Sequence, residues 1–188
     1  MEEAIDKATL RKASAEARAK AHGSVDPHPA HVALAAHIRA IPALEIISGY
    51  APIRTEIDPM PVLSTLHLLG YRTCLPVVTG KGKPLEFRAW TPDTPMIEGA
   101  YGAQIPDTSE VLAPELLISP LLAFDRACYR LGYGGGFYDR TLEGLRARRR
   151  TYAVGFAYEA QFAKHLPTEP TDQPLDAVVT EAGTYFPS

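Results

Sequence analysis

The sequence predicts an α/β fold, a single domain over residues 1–188 on a central mixed, mainly parallel sheet covered by helices on both faces. Three observations carry this expectation. Short apolar runs of strand-like length recur along the chain. Segments with helix-forming composition and cap residues lie between them, the alternation of a sheet covered on two sides. The 188 residues, 46% hydrophobic and 22% charged, are enough ordinary globular chain to bury one core. The class follows from the alternation; the order of the strands does not.

Taken in order, "AIDKATLRKASAEARAKAH" from Ala4 is rich in Ala, Lys, Arg and Glu and predicts a surface helix with a thin apolar face. "HPAHVALAAHIRAI", His28 to Ile41, reads as a second helix with Pro29 in its first turn. "LEIISGYA", Leu44 to Ala51, is short and apolar, a buried strand. "IDPMPVLSTLHLLG" follows as a helix, with Asp58 at its N-cap, Pro59 just inside and Gly70 closing it. "YRTCLPVV" and "LEFRAW" read as two strands joined by the tight "TGKGKP" turn. A Gly- and Pro-containing loop from Thr91 to about Ser109 leads to "ELLISPLLAFD", another buried strand. "YDRTLEGLRARRR" is helix-like, and "TYAVGFAY" and "DAVVTE" supply two final strands. The chain has neither internal repeats nor low-complexity tracts.

Composition excludes several function classes. A net charge of −3 argues against a nucleic-acid partner held by bulk electrostatics, while leaving room for a local cationic pocket. No apolar run approaches the roughly 20 residues that span a bilayer, and the N-terminus lacks the apolar region of a secretory signal. Cys74 and Cys128 make neither a disulfide framework nor a paired zinc motif. The expected setting is the cytoplasm, with no membrane partner and with a monomer as the working unit.

The stretch "RLGYGGGFYDR", Arg130 to Arg140, carries the chemistry: four of the five residues from Gly132 to Gly136 are glycine. Glycine is costly to order, so such a run marks a sharp bend or a close approach to backbone. It lies between a strand and a helix, where open α/β sheets bind phosphates on converging N–H groups. It matches neither G-x-x-x-x-G-K-[ST] nor G-x-G-x-x-G. A plain tight turn would not need Arg130 and Asp139 on its two sides. These are a cation suited to phosphate and a hard oxygen ligand suited to Mg²⁺.

"RLGYGGGFYDRTL" also closely resembles the signature of the 5-formyltetrahydrofolate cyclo-ligases, also called methenyltetrahydrofolate synthetases. "KATLR" (Lys7 to Arg11), "TEID" (Thr55 to Asp58), "CLPVV", "LEFRAW" and "LPTEPTDQPLDAVVT" are similar to further motifs of that family, in order over nearly the whole chain. The resemblance implies an enzyme of one-carbon metabolism with ATP as co-substrate, Mg²⁺ as metal and a reduced formyl folate as substrate. ATP would phosphorylate the formyl oxygen of 5-formyltetrahydrofolate. Ring closure to 5,10-methenyltetrahydrofolate would then release phosphate, with ADP as the other product.

Carried over by residue, the resemblance assigns Lys7 and Arg11 to ATP phosphates; without it they are a solvated helix face. Arg130, Leu131, Gly132, Tyr133, Gly134, Gly135, Gly136, Phe137 and Tyr138 become the ATP-binding loop, with Gly134 to Gly136 nearest the phosphates. Tyr138 is also a substrate residue, stacking on folate or adenine, or else ordinary core. Asp139 and Asp172 match the magnesium carboxylates; the alternatives are a helix cap for Asp139 and a turn for Asp172. Glu56 would accept hydrogen bonds from the pterin N–H groups, unless it is an exposed loop acid. Ala51 and Phe87 are placed in the same substrate pocket, and Trp90 there or in the core.

His28, His31 and His165 have no third ligand, and neither cysteine has a paired base. "RARRR", Arg146 to Arg150, is a solvated basic helix end or a site for a polyglutamate tail. Two positions depart from the family pattern: Cys128, commonly Gly, so that turn is expected to take another shape, and Ile105, often Glu. Two alternatives stand beside the cyclo-ligase reading: a non-catalytic folate- or nucleotide-binding regulator, and a paralogue acting on another formylated compound.

Overall fold

A computed structural model describes residues 6–188 of the chain. Ala4 and Ile5, the expected start of the first helix, lie outside the described residues. Four α-helices are present among them: α1 (Lys7–His22), α2 (His28–Arg39), α3 (Met60–Leu68) and α4 (Phe137–Arg146). The strands begin with β1 (Ile46–Ser48), β2 (Arg72–Val77), β3 (Glu86–Trp90), β4 (Met96–Glu98) and β5 (Gln104–Pro106). They continue with β6 (Leu116–Ser119), β7 (Ala123–Phe124), β8 (Arg130–Leu131), β9 (Tyr152–Phe156), β10 (Ala177–Thr180) and β11 (Gly183–Tyr185).

Seven strands form one sheet in the order β11-β10-β9-β6-β1-β2-β3. The inner pairings are parallel, whereas β3 and β11 close the two edges antiparallel. This is the mixed, mainly parallel sheet that the alternation of patterns predicts. Period-2 alternation sends Ile47, Leu75, Leu116, Ile118, Val154 and Val179 to one face, under Leu34 and Ile38 of α2 and Leu63 and Leu66 of α3. The intervening Cys74, Leu117, Ala153 and Val178 face the other way, against Leu142 of α4 and Phe124. Both faces are therefore buried, which is why the strands read as continuous apolar runs rather than alternating ones.

Three elements differ from expectation. The loop from Thr91 contains a hairpin, β4 with β5, that reaches over the sheet's carboxyl edge. The run "ELLISPLLAFD" is two strands, because Pro120 has no N–H to continue the ladder; β7 leaves to pair with β8 in a separate ribbon. A short β11 also follows β10, where the sequence pattern is too brief to read. At α3 the N-cap is Pro59 and not Asp58 as expected; Asp58 stands one residue earlier, its Oδ1 accepting from the Met60 N–H at 2.8 Å.

The turn at Cys128 is a correction. It was expected to change shape where glycine is replaced, yet Cys128 adopts φ 59°, the left-handed region that glycine prefers. Asp125 holds it there. The Cys128 N–H donates to the Asp125 carbonyl at 3.0 Å, and Asp125 Oδ1 accepts from the N–H groups of Ala127 and Tyr129 at 3.1 and 3.0 Å. The conformation costs about 1–2 kcal/mol for a residue with a Cβ, offset by a side chain fully buried in the second core.

Gly155 in β9 shows how tightly this face is filled. A Cβ there would lie 2.8 Å from Leu175 and 2.9 Å from Leu121. Gly155→Ala is expected to lower stability by about 1–3 kcal/mol, read as a lower urea midpoint with an unchanged slope.

Candidate functional site

From β1 the chain crosses by α3 to β2 on one side, while β6 enters on the other side of β1. Such a divergence leaves a crevice outside the carboxyl ends of the two strands, the usual ligand site in open α/β sheets. A cleft of about 950 Å³ lies there. Tyr50 and Ala51, just after β1, and Pro120, just after β6, form part of its wall. The loop between β8 and α4, the β4–β5 hairpin, the amino end of α1 and the segment from Leu166 to Asp172 complete it.

The glycines have a physical reason. A Cβ on Gly134 would lie 3.3 Å from Arg11 Nη2, one on Gly136 2.8 Å from Arg140 Nη1, and one on Gly132 3.0 Å from Arg130 Nη1. Three guanidiniums thus press against the loop backbone. Gly134 and Gly136 also take positive φ, 102° and 67°. Arg11 Nε donates to the Gly132 carbonyl at 2.9 Å, and Arg140 Nη2 donates to the carbonyl of Gly135. Two of the loop carbonyls are thus occupied by cations, while among the described residues none of the amides of Tyr133, Gly134, Gly135 and Gly136 reaches a backbone carbonyl. Together with the amino end of α4, this arrangement is chemically suited to a multiply charged anion. Lys7 completes the cations at this end, held by Glu169 at 2.7 Å, and its charge keeps the Glu169 carboxyl below its ordinary range.

Asp139 lies in the first turn of α4. Its Oδ1 is taken by Arg130 Nη2 at 3.3 Å and by the Gln173 N–H at 3.0 Å, and its Oδ2 receives no donor among the described residues. Asp172 lines the same cleft and accepts from the Glu169 N–H at 2.8 Å, so it does hold a turn. Among the described residues no three His, Cys, Asp or Glu side chains cluster as a closed metal site. Two carboxylates in a cleft with an anion site fit Mg²⁺, which commonly takes its remaining ligands from substrate phosphates and water.

At the other end stands Glu56, 4% exposed and not the exposed loop acid of the alternative reading. Its Oε2 accepts from the Ile53 N–H at 2.9 Å and its Oε1 from the Tyr133 hydroxyl at 3.2 Å. Burial raises its carboxyl above the usual range, while the Ile53 N–H, Arg18, Tyr133 and Arg54 pull it back. Tyr133 lies between two cations, its ring centroid 5.6 Å from the Arg18 guanidinium and 5.3 Å from that of Arg54. Tyr138 forms the wall between the two ends and packs on the second core, with Arg130 5.2 Å from its ring centroid. Burial pushes its phenol up, so it is a neutral surface.

Every residue assigned from the sequence lines this cleft except Phe87. The placement of Phe87 in the substrate pocket is corrected: it points from β3 into the second core and is 3% exposed. Leu85, on the same face of β3 as Phe87 but just before the strand begins, is the residue that lines the cleft. Trp90 is core. Burial lifts the Cys74 thiol to about 12 and the Cys128 thiol to about 11, so neither is a nucleophile. Arg146 and Arg149 are tied to Asp176 and Glu115, away from the cleft.

The sequence reading left out Arg18, Arg54, Tyr50, Arg140 and Tyr101. Arg140 stands inside the quoted motif, and Arg18 lies seven residues past Arg11 on one helix face; both signals were present. Tyr101, at φ 58° on the hairpin tip with its ring 6.0 Å from Phe137, depends on a hairpin that no pattern announced.

The fold and the cleft define an α/β enzyme class whose crevice sets glycine backbone and cations at one end and a buried carboxylate at the other. Residues 4–181 match the model of the 5-formyltetrahydrofolate cyclo-ligase family, and the chain belongs to that family. It is 38% identical over 136 residues to the 5-formyltetrahydrofolate cyclo-ligase of Escherichia coli K12, covering 69% of this chain and 74% of that one. The Haemophilus influenzae enzyme of the same name is 37% identical over 69% of this chain and 72% of its own. An NMR structure of Aquifex aeolicus 5,10-methenyltetrahydrofolate synthetase superposes with a TM-score of 0.77 at 27% identity, over 97% of this chain and 93% of that one. The Mycoplasma pneumoniae synthetase shares the fold, with a TM-score of 0.72 at 23% identity.

Phe87→Leu is expected to leave the KM for substrate unchanged, whereas Phe87→Ala lowers stability by about 3–5 kcal/mol; steady-state kinetics and urea unfolding check the pair.

Proposed function

We propose that this chain closes the ring of 5-formyltetrahydrofolate to 5,10-methenyltetrahydrofolate, with ATP and Mg²⁺ and with release of ADP and phosphate. The observation that carries the reading is the polarity of one cleft: anion-binding backbone and cations at one end, a buried carboxylate at the other.

Lys7, Arg11, Arg130 and Arg140 hold the triphosphate against the amides of Tyr133 to Gly136, and Asp139 and Asp172 hold the metal. The metal supplies charge neutralisation at the phosphates. Glu56 accepts the pterin N–H groups and Tyr138 gives a neutral stacking wall, with Ala51 lining the same cleft. Positioning and neutralised charge are most of what phosphoryl transfer needs. The formyl oxygen takes the terminal phosphoryl group of ATP, and the neighbouring folate amine attacks the formyl carbon. The carbon–oxygen bond then breaks, phosphate leaves with that oxygen, and the amine gives up its proton. The cleft is complete within one chain, which supports a monomer as the working unit, and two free buried cysteines accord with the cytoplasm.

Mixing protein, 5-formyltetrahydrofolate, ATP and Mg²⁺ is expected to raise the near-ultraviolet absorbance of the methenyl product only when ATP is present. Bound folate and ATP without that rise would refute the reading. Asp139→Asn is expected to lower kcat about 100-fold with folate affinity largely kept; wild-type turnover at limiting Mg²⁺ would remove Asp139 from the metal. Glu56→Gln is expected to raise the folate KM about 10- to 100-fold, the loss of a hydrogen bond to a charged group, and to leave the ATP KM unchanged.

A further inference from the structure

Arg18 is 2% exposed, and its surroundings are unusual for a residue on a helix otherwise rich in exposed charge. Its Nε donates to Thr55 Oγ1 at 3.1 Å and its Nη1 to the Leu121 carbonyl at 3.4 Å. Nη1 also stands 4.0 Å from Glu56 Oε1, both side chains being almost fully buried. A fixed, planar fork of this kind is what Arg provides and Lys does not. A buried charge is tolerated only when paired and hydrogen-bonded. Here the paired anion is the carboxylate that the proposed function sets before the pterin, and Arg18 itself is not among the residues lining the cleft.

Lys7, Arg11, Ser14 and Arg18 fall at i, i+4, i+7 and i+11, one face of α1. The inner face of this helix is a polar stripe: Lys7 and Arg11 enter the anion end of the cleft, and Arg18, two turns beyond Arg11, reaches behind Glu56.

We infer that Arg18 is a positioning residue for the cyclo-ligase reaction: from behind the pocket it fixes Glu56 and Thr55 and keeps the Glu56 carboxyl ionised, ready to accept the pterin N–H groups. This rests on the functional reading above. The other groups facing Glu56 are Arg54, Tyr50 and Asp58 from its own segment and Tyr133 and Tyr138 from the glycine loop and α4. Of these, only Arg54 is a cation. Burial raises the Glu56 carboxyl and Arg18 lowers it. Removing Arg18 therefore makes Glu56 take up its proton at higher pH, so folate binding fails sooner on acidification.

The test is the pH profile of kcat/KM for 5-formyltetrahydrofolate at saturating ATP. Arg18→Gln, which can still donate to Thr55, is expected to move the acid limb up by about one pH unit and to raise the folate KM near neutral pH about tenfold, with the ATP KM unchanged. Arg18→Lys is expected to leave the limb in place, because the charge remains, while the folate KM rises, because one ammonium cannot serve Thr55, Leu121 and Glu56 together. An acid limb unmoved in Arg18→Gln would overturn the inference, since lost packing alone lowers activity at all pH values alike. Should Arg18→Gln not fold, a wild-type folate KM in Arg18→Lys would overturn it equally. If the wild-type protein makes no methenyl product, the functional reading has failed instead. The Glu56 carboxyl can then be titrated by ¹³C NMR, identified by its absence in Glu56→Gln, and an unchanged titration in Arg18→Gln rejects the role of Arg18.

Discussion

The parallel pairing of β1 with both β2 and β6 constrains the rest of the molecule. A parallel neighbour cannot be reached by a tight turn, so the chain must cross over a face of the sheet each time. With β2 laid on one side and β6 on the other, the two connections part above β1 and leave its carboxyl end uncovered. Gly49, Tyr50 and Ala51 emerge at that point, and the segment carrying Glu56 follows directly. The second half of the chain returns to the same edge with the glycine loop and the Leu166–Asp172 segment. Lys7, at the start of α1, and Asp172, in the segment before β10, line the same cleft although 165 positions of chain separate them.

Within that crevice the governing interaction is close contact between guanidinium groups and backbone. Arg11, Arg130 and Arg140 occupy space that a Cβ on Gly134, Gly132 or Gly136 would fill. The glycines therefore admit the cations on one side while the loop lines the open cleft. Cations seated on the loop carbonyls also cancel the partial negative charge that would repel an anion, leaving the amides to set the local potential. The same economy appears at the other end, where Arg18 and Arg54 lie on Tyr133 and Tyr133 donates to Glu56. Tyr133 thus belongs to both ends: its backbone is in the glycine loop and its hydroxyl is on the Glu56 carboxylate.

Cys128 shows how a local rule yields to its surroundings. The left-handed conformation there is fixed by three hydrogen bonds to Asp125, whose Oδ2 also accepts from the Leu166 N–H at 3.3 Å. Asp125 thereby ties the turn entering β8 to the segment that forms the far wall of the cleft.

The amino-acid sequence by itself determined the class of fold, the strands and helices with strong period or caps, and the loop where charge and glycine coincide. These are local properties, set by composition, caps and the geometry of one residue's neighbours along the chain. It also determined family membership, since motifs in order are a linear property. Tertiary structure alone decided how far along "LEFRAW" the cleft reaches, so that Phe87 is covered in the core while Leu85, two residues earlier on the same face, lines the cleft. It alone raised the β4–β5 hairpin, whose strands of three residues have too little pattern to read. Arg18, one more charge on a charged helix when seen in sequence, became a buried partner of Glu56 because the pairing spans 38 positions of chain that only the folded sheet brings together.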